Sequence, residues 1–117
     1  MFGRLKGIFG RKPILIRGTG KLPEGEARKV SIGDPLAGTG FDVVLARVGG
    51  KLYALHSDCP HEGGHLVQGP LVEGKYVRCP LHNYHFDPKN GACVNATCSK
   101  AKALKVEEKD GDAEVYA

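Results

Sequence analysis

Apolar and polar positions alternate with a period of two along most of the chain, which is the spacing of half-buried strands rather than of helices. Runs at 14–18 (ILIRG) and 27–32 (ARKVSI) read as short strands, and 41–48 (FDVVLARV) and 51–56 (KLYALH) flank Gly49-Gly50. Two glycines between two such runs reach the positive φ angles of a two-residue hairpin turn, so these strands are predicted to pair antiparallel. The same logic predicts a hairpin in which Leu71-Val72 and 75–78 flank Glu73-Gly74, and another in which 104–107 and 113–116 flank Lys109-Asp110-Gly111-Asp112. Pro88-Lys89-Asn90-Gly91 reads as a turn between 85–87 and 92–94. Irregular segments remain at 57–70, 79–85 and 95–100, and there is no internal repeat, low-complexity tract or interdomain linker. The pattern predicts an all-β fold, an antiparallel β-sandwich or barrel with irregular loops at one side.

Composition narrows this picture. A chain of 117 residues with 41% hydrophobic positions and no Trp makes one small domain with a thin core, which excludes an enzyme with a separate substrate domain. Seventeen Gly and seven Pro fit many turns between short strands, and a metal or covalent staple is expected at this size. The net charge of +4 is uneven: Arg4, Lys6, Arg11, Lys12, Arg17 and Lys21 all precede the first acid, Glu24, and from Glu24 onward there are 11 basic against 13 acidic residues. That distribution argues against a nucleic-acid-binding face. Residues 1–13 are predicted to form a basic, flexible arm and 14–117 the domain; Phe2, Leu5, Ile8 and Phe9 beside cations suggest at most weak membrane-surface contact by residues 1–12. No apolar run reaches the length of a membrane span or a signal-peptide core, so the expected location is the cytoplasm.

The irregular segments carry the candidate chemistry. Cys59-Pro60-His61 is followed, after 17 intervening residues, by Cys79-Pro80-Leu81-His82. Two Cys/His pairs, each in a turn after a strand, let thiolates and imidazoles converge on one ion or cluster. Two chemistries fit such a donor set: a tetrahedral zinc in a structural interaction module, or a [2Fe-2S] cluster with two cysteines on one iron and two histidines on the other.

The stretch Cys59-Pro60-His61-Glu62-Gly63-Gly64-His65-Leu66, then Gly69-Pro70-Leu71, and Cys79-Pro80-Leu81-His82-Asn83-Tyr84-His85-Phe86-Asp87 with Gly91 resembles the two cluster-binding boxes of Rieske iron-sulfur proteins. The resemblance extends from about Ile14 to Tyr116, its specific part being 59–91. It implies a Rieske-like antiparallel β-sandwich or barrel with a small cluster-binding subdomain of two loops. It also implies one [2Fe-2S] cluster per chain, held by Cys59, His61, Cys79 and His82. Gly63 and Gly64 leave room for backbone amides to approach the sulfides, while Leu66 and Leu71 supply apolar cover.

Departures from the family's respiratory branch point to its soluble bacterial ferredoxins. That branch has a further Cys in each box, joined as a disulfide, where this chain has Gly64 and Leu81. It also has Ser and Tyr hydroxyls where Tyr84 and Phe86 stand here, which places the expected potential near the low end of the roughly −150 to +300 mV range of such centres. The third loop, usually carrying a proline over the cluster, corresponds to 95–99 and has none. Cys93 and Cys98 read as free thiols in a cytoplasmic protein, with a redox-sensitive pair as the sharper alternative. His56 and His85 are expected at the surface or behind the ligands, and His65 on the cluster loop.

The resemblance therefore implies a one-electron carrier, not itself an enzyme, that passes electrons between a reductase and an oxygenase or other oxidoreductase, with partners docking near His61 and His82. A small Rieske subunit held permanently in a larger oxidoreductase is the alternative within the same chemistry; the structural zinc module is the alternative outside it.

Overall fold

The computed structural model describes residues 13–33, 40–58, 64–81, 83–97 and 99–116. Nine strands follow one another: β1 (Pro13–Ile16), β2 (Glu26–Ile32), β3 (Phe41–Val48), β4 (Lys51–His56), β5 (Gly69–Pro70), β6 (Val77–Cys79), β7 (Tyr84–Phe86), β8 (Ala103–Lys109) and β9 (Asp112–Tyr116). The only helical element among the described residues is a 3-10 turn at Thr19–Lys21. Seven strands form one curled antiparallel sheet in the order β1-β9-β8-β4-β3-β2-β5, and β6 and β7 form a separate two-stranded hairpin. The all-β expectation holds. Of the arm predicted at residues 1–13, residues 1–12 lie outside the described residues, while Pro13 already belongs to β1, paired with Tyr116.

Local turn chemistry explains the long pairings. Gly49 and Gly50 take φ of 63° and 79°, closing the β3–β4 hairpin in register from Val48↔Lys51 to Val43↔His56. The β8–β9 hairpin turns through Asp110-Gly111, with pairs from Lys109↔Asp112 to Lys105↔Tyr116. Between β4 and β8 the ladder is short, pairing Ala54↔Leu104 and Leu55↔Ala103, and the His56 N–H donates to the Lys102 carbonyl at 2.8 Å just beyond it.

The predicted hairpin around Glu73-Gly74 forms only in part. Its two sides meet at the bridge Val72↔Tyr76, but β6 pairs with β7 instead, through Val77↔Phe86, Arg78↔His85 and Cys79↔Tyr84. The reason is burial. Val77, Cys79 and Phe86 need a common apolar face, and pairing with β7 puts all three into one core. Gly69–Pro70, read as irregular, adds a two-residue strand to the edge of β2.

Strand β3 is buried on both faces. Val43 and Leu45 join Ile16, Leu52, Leu104 and Val115 in one core, while Val44 and Ala46 join Leu55, Leu66, Leu71, Val77, Cys79 and Phe86 in the other. The first core is made by the sheet and the 3-10 turn; the second holds the small hairpin against the sheet.

Candidate metal centre

The second core leads to the candidate ligands. Of the four, Cys79 lies among the described residues; Cys59, His61 and His82 lie outside them. Cys79 ends β6, is a free thiol and has none of its surface exposed. A sulfur that is apolar as a thiol and a strong soft-metal ligand as a thiolate is compatible with such a position.

Both loops are rooted beside it. The bridge Asp58↔His65 closes the base of the first loop, and the Leu66 N–H donates to the Ser57 carbonyl at 2.7 Å. One residue on, the Val67 N–H donates to the Arg78 carbonyl at 3.0 Å, tying the root of the first loop to the residue before Cys79. Leu66 is fully buried under this junction. The segments carrying the two Cys/His pairs thus leave the fold from adjacent points. A buried thiol at this junction, between two segments whose sequences each carry a Cys/His pair, has the donor chemistry of a [2Fe-2S] centre.

A third segment packs on the far edge of β7. Phe86 bridges Cys93, and the Val94 N–H donates to the His85 carbonyl at 2.9 Å. The Asn95 side chain continues this pairing: Oδ1 accepts the His85 N–H and Nδ2 donates to the Asn83 carbonyl, both at 2.9 Å. Asn83, directly after His82, has φ of 55°, a left-handed conformation that Asn tolerates better than most residues. β7 is thus paired on both edges from its first residues.

Behind the first loop, His56 stacks on Phe41 with ring centroids 4.8 Å apart. The Nδ1 of His56 accepts the Asp58 N–H at 3.3 Å, and Asp58 Oδ1 lies 3.4 Å from His65 Nδ1. His56 is half-buried in this packing, and His65 sits exposed at the loop's root.

Cys93 corrects an expectation: it is disulfide-bonded, not a free thiol. The compartment argument weighs only how often disulfides occur and says nothing of which chain segments the fold brings together; Cys98, the other half of that expectation, lies outside the described residues. Asn95 and Asp58 were not singled out by sequence reasoning. Asn is common in loops, and no spacing rule marks one whose amide completes a strand edge.

Comparison with known proteins agrees with this geometry. The model of the Rieske [2Fe-2S] domain matches residues 12–109. The 3-phenylpropionate/cinnamic acid dioxygenase ferredoxin subunit of Escherichia coli K12 is 35% identical over 78 residues, covering 65% of this chain and 67% of that protein. Cholesterol 7-desaturase nvd of Hemicentrotus pulcherrimus is 39% identical over 46 residues, a match that spans 39% of this chain and only 10% of the enzyme. Among solved structures, the ferredoxin of carbazole 1,9a-dioxygenase from Nocardioides aromaticivorans IC177 superposes with a TM-score of 0.70 at 23% identity, over 90% of this chain and 97% of that one. The family match runs through both loops and the sheet that roots them, and the chain therefore belongs to the Rieske [2Fe-2S] domain family.

Proposed function

We propose that this chain is a one-electron carrier of the ferredoxin type, working between a reductase and an oxygenase or other oxidoreductase and catalysing no reaction of its own. In this reading Cys59, His61, Cys79 and His82 hold its single [2Fe-2S] cluster. The observation that carries the reading is the buried free thiol of Cys79 at the junction where both Cys/His segments are rooted. When bound, the cluster supplies a site that gains and loses one electron.

The surrounding residues set the conditions for that exchange. Leu66, Leu71 and Phe86, all buried, keep water from the thiolate side. A dry environment and fixed backbone dipoles reduce the rearrangement that accompanies a change of charge. Phe86 has no hydroxyl to donate toward sulfur, which supports a potential near the low end of the range for His-ligated clusters. Leu81 and Val94 are 49% and 44% exposed, one beside His82 in the chain and the other bonded to β7. Uncharged apolar side chains at the edge of the second loop suit a transient partner that docks near His61 and His82. The known complex of a reduced oxygenase with an oxidised ferredoxin in carbazole 1,9a-dioxygenase, whose ferredoxin resembles this chain at 24% identity and a TM-score of 0.73, supports an oxygenase as the acceptor. A cytoplasmic location and weak surface contact by residues 1–12 belong to the same proposal. Among the described residues no helix is long and apolar enough to cross a membrane.

Redox titration followed by visible absorption tests the reading. A single reversible step of one electron per chain is expected, followed by reoxidation when an oxygenase of a ferredoxin-dependent dioxygenase is added. Absence of a reversible one-electron step in iron-loaded protein would contradict it.

A further inference from the structure

We infer that Asn95 is a positioning residue for the second cluster-binding loop, fixing the backbone directly after His82 through the Asn83 carbonyl. The inference rests on the ligand reading above for His82 and goes beyond it, because it assigns a role to a side chain that is not a ligand.

The geometry is specific. Asn95 offers one acceptor and two donors. Its acceptor takes the His85 N–H and one donor reaches the Asn83 carbonyl, both at 2.9 Å. Both partners are main-chain groups of known polarity, so the amide has one orientation; turned over, it would set oxygen against oxygen and N–H against N–H. Between these contacts lies Tyr84, the first residue of β7, so the side chain acts as a one-residue strand on the edge that β6 does not occupy.

The consequence falls on Asn83. Its φ of 55° is costly for a residue with a Cβ, and such a conformation persists where its surroundings hold it. The exposed turn has little packing to do this: Pro80, Leu81 and Asn83 are all exposed. The Asn95 amide donates to the carbonyl of this strained residue and also clamps the chain two residues further on. Asn95 is itself anchored, since Cys93 is bridged to Phe86 and disulfide-bonded, and the Val94 N–H is bonded to the His85 carbonyl. The third segment, which carries no proline, thus reaches the second loop through a side chain.

The test compares Asn95→Ala and Asn95→Asp with the wild-type holoprotein. Both variants are expected to retain two irons and two sulfides, to lose iron to a chelator roughly fivefold faster, and to show a changed EPR line shape after reduction. Aspartate keeps the acceptor for His85 but sets a carboxylate against the Asn83 carbonyl, so it should follow alanine. Glu108→Gln, a destabilising change away from the loops, should lower Tm and leave the EPR line shape unchanged. A folded Asn95 variant unable to hold iron is the same result in stronger form. Wild-type iron-loss kinetics and spectra in Asn95→Ala, or in Asn95→Asp, would overturn the inference while leaving the ligand reading intact. A wild-type chain lacking two irons and two sulfides, or a His82→Ala variant that keeps the wild-type cluster, would overturn the ligand reading and the inference with it.

Discussion

The two faces of β3 bury two cores that are finished in different ways. On one side, Ile16, Leu22, Leu45, Leu52, Leu104 and Val115 are enclosed by the sheet and the 3-10 turn, and the one buried charged side chain among the described residues is matched within the protein. Arg47, 8% exposed, donates from Nε to the Leu22 carbonyl at 3.1 Å and from Nη2 to the Thr19 carbonyl at 2.8 Å, and its guanidinium forks onto both oxygens of Glu108. The Thr19 hydroxyl donates to the same carboxylate at 2.9 Å. On the other side the core is assembled from Leu55 of the sheet, Val77 and Phe86 of the small hairpin, and Leu66, Leu71 and Ala101 from connecting segments, and it includes Cys79. One core closes on its own hydrogen bonds; the other ends at a buried free thiol, the proposed ligand.

Removing the iron should separate the two sides most strongly. Metal bonds that order loops are folding energy, so the apoprotein should exchange amides much faster at 64–68, β6 and β7. Strands β8 and β9 and the β3–β4 hairpin should keep most of their protection. Hydrogen exchange by mass spectrometry checks this, and equal loss of protection on both sides would erase the distinction.

A glycine comparison should break the cluster side alone. A Cβ on Gly91 would stand 2.0 Å from the Ala101 carbonyl oxygen, at a φ of +81°, in a segment where the Ala101 N–H donates to the Gly91 carbonyl at 2.8 Å. Gly18 has a similar φ, +75°, but nothing within 4 Å of the added atom. Gly18→Ala should therefore cost about 1 kcal/mol from the backbone alone, and Gly91→Ala about 3 kcal/mol or more, with faster iron loss. Urea unfolding monitored at both sides gives the two values, and similar costs would show that the close approach yields readily.

The remaining effect is one of charge and belongs to the closed side. Glu108→Gln leaves the buried guanidinium of Arg47 without its counter-charge and should cost about 2 kcal/mol near neutral pH. Hydrogen bonding from Arg47, ahead of the opposing effect of burial, holds the Glu108 carboxyl below its ordinary pKa. A depressed carboxyl stabilises the fold above its unfolded-state pKa, and this contribution disappears as pH falls through the lower folded-state value. Wild-type and Glu108→Gln stabilities should therefore converge as the pH falls below the usual carboxylate range. A gap in Tm that does not narrow on acidification would assign the cost to packing rather than to charge.

The closed side was the easier to read in the sequence, though not in its polar detail. Gly49-Gly50 and Asp110-Gly111 announce their hairpins because a turn's chemistry is local, and the strands beside them follow from alternation. The pairing of Arg47 with Glu108 spans 61 positions, and nothing near either residue distinguishes it from a solvated charge. On the cluster side, the Cys/His spacing marked the candidate ligands. The partner of β6 was missed because Val77 and Cys79 chose Phe86 for the core it completes, and a turn signal at Glu73-Gly74 carries no information about that choice. The two-residue β5 and the amide clamp of Asn95 likewise depend on chain segments brought together only by the fold.

Metal and sulfide analysis of wild-type, Cys79→Ser and Cys93→Ser proteins, read together with visible absorption, tests the central claim most directly. Wild-type protein should contain two irons and two acid-labile sulfides per chain and absorb visible light. Cys79→Ser should lose both, because serine is a harder and less readily ionised ligand. Cys93→Ser should retain them, having lost only a disulfide. Colourless wild-type protein containing one zinc and no sulfide, or a cluster that survives Cys79→Ser and disappears in Cys93→Ser, would contradict the account.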